Sequence, residues 1–167
     1  MPTEKIQLRQ EVFESDAWKI AEWLEDHEIM KFLNEDQNVS EIIKQTIYRV
    51  NIPVLTHLFN RNGSFFMIIK KERPIGFLRL IPKGNAAELV VVIGDKKNWG
   101  KGYGRYAIYQ GLKHAFFTLR NNQVIAKIHM ENERSKKVFK MVGFREEREL
   151  AKEIQYNISI EQYLKLA

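Results

Sequence analysis

The stretch from Glu88 to Gly104 constrains the fold of this chain most tightly. Glu88-Leu-Val-Val-Val-Ile93 reads as a strand, and Asn98-Trp-Gly-Lys-Gly-Tyr-Gly104 as a glycine-alternating loop that opens directly into a helical pattern. A strand that feeds a glycine loop at a helix start makes a cradle for an anion. Gly100, Gly102 and Gly104 lack a β-carbon, so the backbone can turn tightly and aim several N–H groups at one ligand. Lys96, Lys97, Lys101 and Arg105 add positive charge around it. A ligand-free turn has the same composition, so the loop needs a second motif beside it. Two known phosphate loops do not match: a dinucleotide fingerprint needs glycine where Arg105 stands, and a nucleotide P-loop needs Gly-Lys-Ser/Thr.

The second motif follows another strand-like run, from Gln123 to Met130. It reads Asn132-Glu-Arg-Ser135-Lys-Lys-Val-Phe139-Lys-Met-Val-Gly143-Phe144. Together the two stretches resemble the cofactor motifs of the GNAT N-acetyltransferase superfamily: a Gln/Arg-x-x-Gly-x-Gly/Ala loop, then Asn-x-x-Ser and Gly-Phe. The resemblance is strong over residues 74–145 and lies elsewhere in element order. It is nearest to the ribosomal-protein and aminoglycoside acetyltransferase branch, in which Trp also occurs at the Gln/Arg position held here by Trp99.

The remaining pattern agrees with that fold. Lys5 to Val12 alternates as a first strand. Ser15 or Asp16 is placed to cap a helix in which Ile20, Trp23, Leu24 and His27 share a face, and Ser40 to cap a second carrying Ile43, Ile47 and Val50 up to Pro53. Strands are expected at 64–70, 75–81 and 86–93. The helix after the glycine loop buries Ile108, Leu112, Ala115, Phe116 and Leu119. Strand 123–130, helix 133–142 and strands 144–149 and 153–160 complete an α/β (α+β) order, β-α-α-β-β-β-α-β-α-β-β, with about seven strands in a mixed sheet and about four helices. One domain over residues 1–167 is expected.

Composition excludes several classes of function. Zero cysteines rule out a disulfide framework, a thiolate metal site and an acyl-cysteine intermediate, so direct acyl transfer is the simpler route; no metal is expected. The longest apolar runs, 65–69 and 89–93, are too short for a bilayer, and Met-Pro-Thr-Glu-Lys has no secretory apolar core, which predicts a cytoplasmic protein without membrane contact. Charge is unevenly spread. The chain carries +6, yet residues 11–41 hold ten acids against Lys19 and Lys31. A basic excess elsewhere suits nucleic acid, a membrane surface or a polyanionic cofactor, and equally an ordinary lysine-rich surface; the absence of an RNP-type aromatic signature or a recognition helix argues against nucleic acid.

The resemblance implies acetyl-CoA as cosubstrate and a primary amine as acceptor. It assigns cofactor contacts to Asn98, Trp99, Gly100, Lys101, Gly102, Tyr103, Gly104 and Arg105, to Asn132 and Ser135, and to the backbone of Val92 and Ile93, where family members splay two parallel strands. Asn132 and Ser135 equally suit a helix cap and first turn. An alkyl amine is neutral in roughly one molecule per thousand at pH 7, so a base matters. Glu88, eleven residues before Trp99, matches the spacing of the catalytic glutamate in histone-acetylating members; a structural carboxylate is the other reading, and His129 the alternative base. Phe139 stands where many members carry a tyrosine that protonates the departing sulfur, and phenylalanine has no proton to give. Water, Ser135 or Tyr103 is left as donor, unless the chain is a non-catalytic CoA-binding module. The acidic stretch beside the acceptor site predicts a small cationic amine, with a protein N-terminus as the rival and a homodimer possible.

Overall fold

The structure, a computed structural model, describes residues 5–166. In chain order the elements are β1 (Ile6–Arg9), α1 (Glu14–Trp23), α2 (His27–Met30), α3 (Val39–Val50), α4 (Thr56–Phe59), β2 (Ser64–Lys70), β3 (Arg73–Lys83), β4 (Ala86–Ile93), α5 (Tyr103–Lys113), β5 (Gln123–His129), α6 (Glu133–Val142), β6 (Arg145–Glu149), β7 (Glu153–Ser159) and α7 (Ile160–Leu166). The seven strands form one mixed sheet in the order β1-β2-β3-β4-β5-β7-β6. This is the expected architecture with three more short helices, α2, α4 and α7.

Alternation along the strands divides the core. Leu78, Leu80, Ala87 and Leu89 face α5 and α6, where they meet Ile108, Leu112, Phe116 and Phe139. Phe65, Met67, Phe77 and Val92 face α1 and α3, packing on Ile20, Trp23 and Ile47. Both faces are thus covered by helices. The β2–β3 hairpin turns through Lys71 and Glu72, both left-handed at φ 48° and 66°, a two-residue reversal whose twist suits the flanking strands. Pro74 lies inside β3 rather than in the connection, tolerated where the β2–β3 register shifts at Ile68 and Ile69.

Several local expectations shift. The cap of α1 is Phe13, and Asp16 sits inside the first turn, where its carboxylate accepts the Phe13 N–H at 2.9 Å and pairs with Arg9. That helix stops at Trp23, so His27 opens α2 and is exposed rather than sharing the buried face of Ile20, Trp23 and Leu24. Ser40 is likewise within α3, not its cap; its hydroxyl donates to the Ala21 carbonyl at 2.7 Å and to Glu25 at 3.0 Å, tying α3 to α1. Leu119 lies beyond the buried stripe of α5 and is 40% exposed, because the helix widens into a π-turn over His114–Thr118 that rotates the last residues outward.

The one parallel pairing positions the site. β4 and β5 pair only at Ala86, Ala87 and Glu88, opposite Gln123, Val124 and Ile125. Beyond that rung β4 stays on β3 as far as Ile93, and β5 stays on β7 as far as His129. Each strand keeps its outer neighbour, and the middle of the sheet opens into a V.

Candidate functional site: the gap between β4 and β5

The V widens into a cavity of about 580 Å³. Its walls are the open halves of β4 and β5, the glycine loop with the start of α5, the start of α6, and the segment after α1. All twelve residues assigned to the cofactor from sequence line it: Val92, Ile93, Asn98, Trp99, Gly100, Lys101, Gly102, Tyr103, Gly104, Arg105, Asn132 and Ser135. Glu88 does not.

The glycine loop earns its shape from two left-handed residues. Gly100 has φ 74°, and Gly102, the N-cap of α5, has φ 84°. The first turn of α5 closes with the Tyr106 N–H on the Gly102 carbonyl at 3.0 Å, which leaves the N–H groups of Tyr103, Gly104 and Arg105 outside the helical ladder. Those N–H groups, the positive end of an eleven-residue helix and the side chains of Lys101, Arg105, Arg134 and Lys137 make one wall of the cavity electropositive.

Neighbouring side chains fix that wall. The Trp99 indole N–H donates to the Ile93 carbonyl at 2.7 Å, and the Arg134 guanidinium lies 3.8 Å over the Trp99 ring, so the aromatic side chain ties the loop to β4 and to α6 at once. Asn98 is 2% exposed, with its carbonyl oxygen accepting from Lys70 at 3.0 Å and its amide nitrogen buried without a partner among the described residues. Lys70 in turn lies 5.0 Å from the Tyr103 ring centre. Asn132 caps α6 through the Ser135 N–H at 3.2 Å. The capping and lining placements of Asn132 and Ser135 therefore coexist.

The backbone of β4 supplies donors to the gap. Gly94 donates to the Ile75 carbonyl of β3 at 2.7 Å, and antiparallel alternation then turns Val92 and Val90 toward β3 while Leu89, Val91 and Ile93 turn toward β5, where pairing has ended. Of the two positions expected to offer main-chain groups, Ile93 faces the gap. The Val92 backbone is directed into the β3 ladder instead.

Glu88 occupies the last paired rung, at the foot of the V. Its carboxylate is 3.8 Å from the Lys83 ammonium and 3.6 Å from that of Lys127, with the side chain 15% exposed. Phe139 is buried and edge-on to Phe144, while contributing to the cavity wall, so its packing accounts for it without an acid's role. On the opposite side Glu28, Ile29, Phe32 and Leu33 close the cavity together with His129. Ile29, Phe32 and Leu33 went unremarked in the sequence, although their i, i+3, i+4 spacing is a helical apolar signal. Arg134 and Lys137 were missed too, though they flank Ser135 in the second motif.

Comparison with known proteins agrees with this geometry. Residues 6–145 match the family model described as an acetyltransferase (GNAT) domain. Over 151 residues the chain is 28% identical to p20 of Bacillus licheniformis, an uncharacterised N-acetyltransferase, covering 87% of this chain and 82% of that protein. Two solved structures share the fold at 20% identity. The spermidine N-acetyltransferase of Vibrio cholerae, in complex with CoA and spermine, superposes with a TM-score of 0.78 over 95% of this chain and 98% of that one. RimJ of Mycobacterium smegmatis, in complex with CoA-disulfide, does so with a TM-score of 0.77 over 96% of this chain and 85% of that one. With the family model spanning β1 to α6, and so both strands that border the gap and the loop between them, the chain belongs to the GNAT acetyltransferase family.

Proposed function

We propose that this domain moves an acetyl group from acetyl-CoA directly to the primary amine of a small, cationic acceptor. One observation carries the reading: the β4–β5 gap, open to a cationic helix start on one side and to the α1–α3 face on the other. The donor supplies an activated thioester. Its phosphates meet the first-turn N–H groups of α5 with Lys101, Arg105, Arg134 and Lys137, and its pantetheine arm runs along the gap-facing edge of β4. The N–H groups of Val91 and Ile93 are directed where charge develops on the carbonyl oxygen, and Asn132 and Ser135 border the arm from α6.

The amine nitrogen forms a bond to the carbonyl carbon, the carbon–sulfur bond breaks, and the sulfur leaves with its electron pair. A thiolate of pKa near 8.5 is a fair leaving group, so the absence of a tyrosine at Phe139 slows the step without forbidding it; water or the Tyr103 or Ser135 hydroxyl supplies its proton. The amine's own proton passes through water to Glu88, which lies outside the cavity lining and cannot take it directly. Glu88→Gln should therefore lower kcat about tenfold and leave CoA affinity unchanged, since a relay base acts only in the transition state. An unchanged kcat hands the proton to bulk solvent.

The acceptor's charge is inferred from the acidic segment. Four basic side chains from outside it, Arg9, Lys44, Arg79 and Lys96, pair with Asp16, Glu25, Glu35, and Asp26 with Glu28. They offset about half of its excess of acids, and Glu28 is the carboxylate of that segment that lines the cavity. Release of free thiol from acetyl-CoA over matched polyamines, aminoglycosides, amino acids and peptides tests the reading; thiol release with none of the amines refutes catalysis.

A further inference from the structure

His129 has the makings of a base, yet the geometry points to the reverse. Its Nδ1 accepts the Glu131 backbone N–H at 3.1 Å, and its own carbonyl accepts the Asn132 N–H at 2.9 Å, so the residue is held by the turn that follows β5. With Nδ1 spent as an acceptor, the neutral ring carries its hydrogen on Nε2. To act as a base the ring would have to take a proton at Nδ1, setting one N–H against another. What it offers instead is a fixed donor.

The donor's position follows from strand register and alternation. Extending the β4–β5 register past Glu88 sets His129 level with Val92, across the open gap. Ala126 and Ile128 pack toward α5 and α6, so Lys127 and His129 project to the other face, and the imidazole meets the Phe32 ring at 5.1 Å between centres. Phe32 and His129 both line the cavity, together with the apolar Ile29 and Leu33. The imidazole thus stands half-buried in an apolar wall on the acceptor's side of the gap.

We infer that His129 is a specificity residue whose Nε2–H donates to an oxygen of the acceptor, a hydroxyl, ether or carbonyl placed within a few bonds of the attacking amine. The inference rests on the transfer reaction proposed above and narrows its acceptor: amines carrying such an oxygen are preferred over pure polyamines, whose remaining nitrogens are protonated and have nothing to accept a hydrogen bond with. A cation close to a fixed N–H donor is also repelled by it.

The test compares two diamines of equal length, 1,5-diaminopentane and 2,2′-oxybis(ethylamine), in which an ether oxygen replaces one methylene, in steady-state assays of thiol release with each rate referred to the concentration of neutral amine, because the ether also lowers amine basicity. Wild type should favour the ether by about three- to tenfold in kcat/KM, expressed mainly in KM, as one neutral hydrogen bond allows. His129→Phe keeps the ring against Phe32 and removes the donor; it should abolish the preference. His129→Gln, which returns an N–H near the Nε2 position, should restore part of the preference. A preference that persists in His129→Phe, or that wild type never shows, overturns the inference and leaves the transferase reading standing. So does an equal fall of kcat for both diamines, because that is a base's signature. If wild type releases thiol with neither these nor any other amine, the reading of the reaction falls and this inference with it.

Discussion

Gly102 shows what one residue decides in this site. At φ 84° it caps α5 in a conformation that costs an ordinary residue about 1–2 kcal/mol, so a side chain there strains the turn that presents the first N–H groups of the helix. Gly102→Val, β-branched at a left-handed position, should weaken CoA binding at least tenfold by calorimetry while helical content is retained; undiminished affinity would reduce the loop to a turn. The glycine loop was legible in sequence because its residues are contiguous and their chemistry is local. Caps were not: Asp16 and Ser40 carry side chains suited to an N-cap, but each found a partner elsewhere, Asp16 with Arg9 and the Phe13 N–H, Ser40 with Ala21 and Glu25. Where a polar side chain has a tertiary partner, propensity alone misplaces the helix start by one to three residues. Glu88 was read from its spacing to Trp99, which places it in β4 and says nothing of Lys83 and Lys127, which the neighbouring strands bring beside it.

Elements were read well where the period is long and poorly where it is short. α3 and α6 carry clear apolar stripes, whereas α4, at four residues, completes barely one turn and has no period to detect, and the i, i+3, i+4 spacing of Ile29, Phe32 and Leu33 runs past the end of α2. The V between β4 and β5 is invisible to pattern for another reason: Leu89–Ile93 has the composition of a fully paired strand, and what it lacks is a partner on one side, which only topology decides. The π-turn at the end of α5 carries a further consequence. It sets His114 half-buried, with its ring edge-on to Phe66 at 4.9 Å, and burial lowers its pKa from the ordinary 6.5. The unfolded chain therefore takes up the proton more readily than the folded one, so the neutral histidine's contribution to stability is complete above pH 6.5 and is lost as pH falls through that value toward the lower folded one. Thermal unfolding midpoints measured from about pH 7.5 to about pH 5 should fall, and His114→Phe should flatten that part of the curve. Glu25, held below its ordinary 4.5 by the hydrogen bond from Lys44, titrates beneath this window and does not confuse the reading. A slope unchanged by His114→Phe would assign it to another histidine.

Across the whole molecule the charge is spread unevenly around one cavity. The +6 chain puts Lys101, Arg105, Arg134 and Lys137 at the α5 and α6 end, and on the other side Glu28 of α2 with Lys127 of β5, whose ammonium is 3.6 Å from Glu88. Glu28 shares the Lys96 ammonium with Asp26, each at 3.2 Å, so replacing Glu28 leaves Lys96 a partner and removes one negative charge from the acceptor wall without stranding a cation. Two substitutions should therefore act on different ligands. Arg134→Gln takes a cation and its stack on Trp99 from the anion wall, and should weaken CoA several-fold, with a shallower dependence on salt, while the KM of a triamine changes little. Glu28→Gln should raise the KM of a triamine about two- to fivefold at low ionic strength, raise that of a monoamine less, and leave CoA affinity alone, because the interaction of an exposed carboxylate with a cation grows with the cation's charge and is screened by salt. The deciding measurement is the pair of salt titrations, CoA by calorimetry and amines by initial rate, on both variants. A triamine KM indifferent to Glu28→Gln and to salt would remove the electrostatic ground for a cationic acceptor, and would leave the oxygen contact at His129 as the feature that selects it.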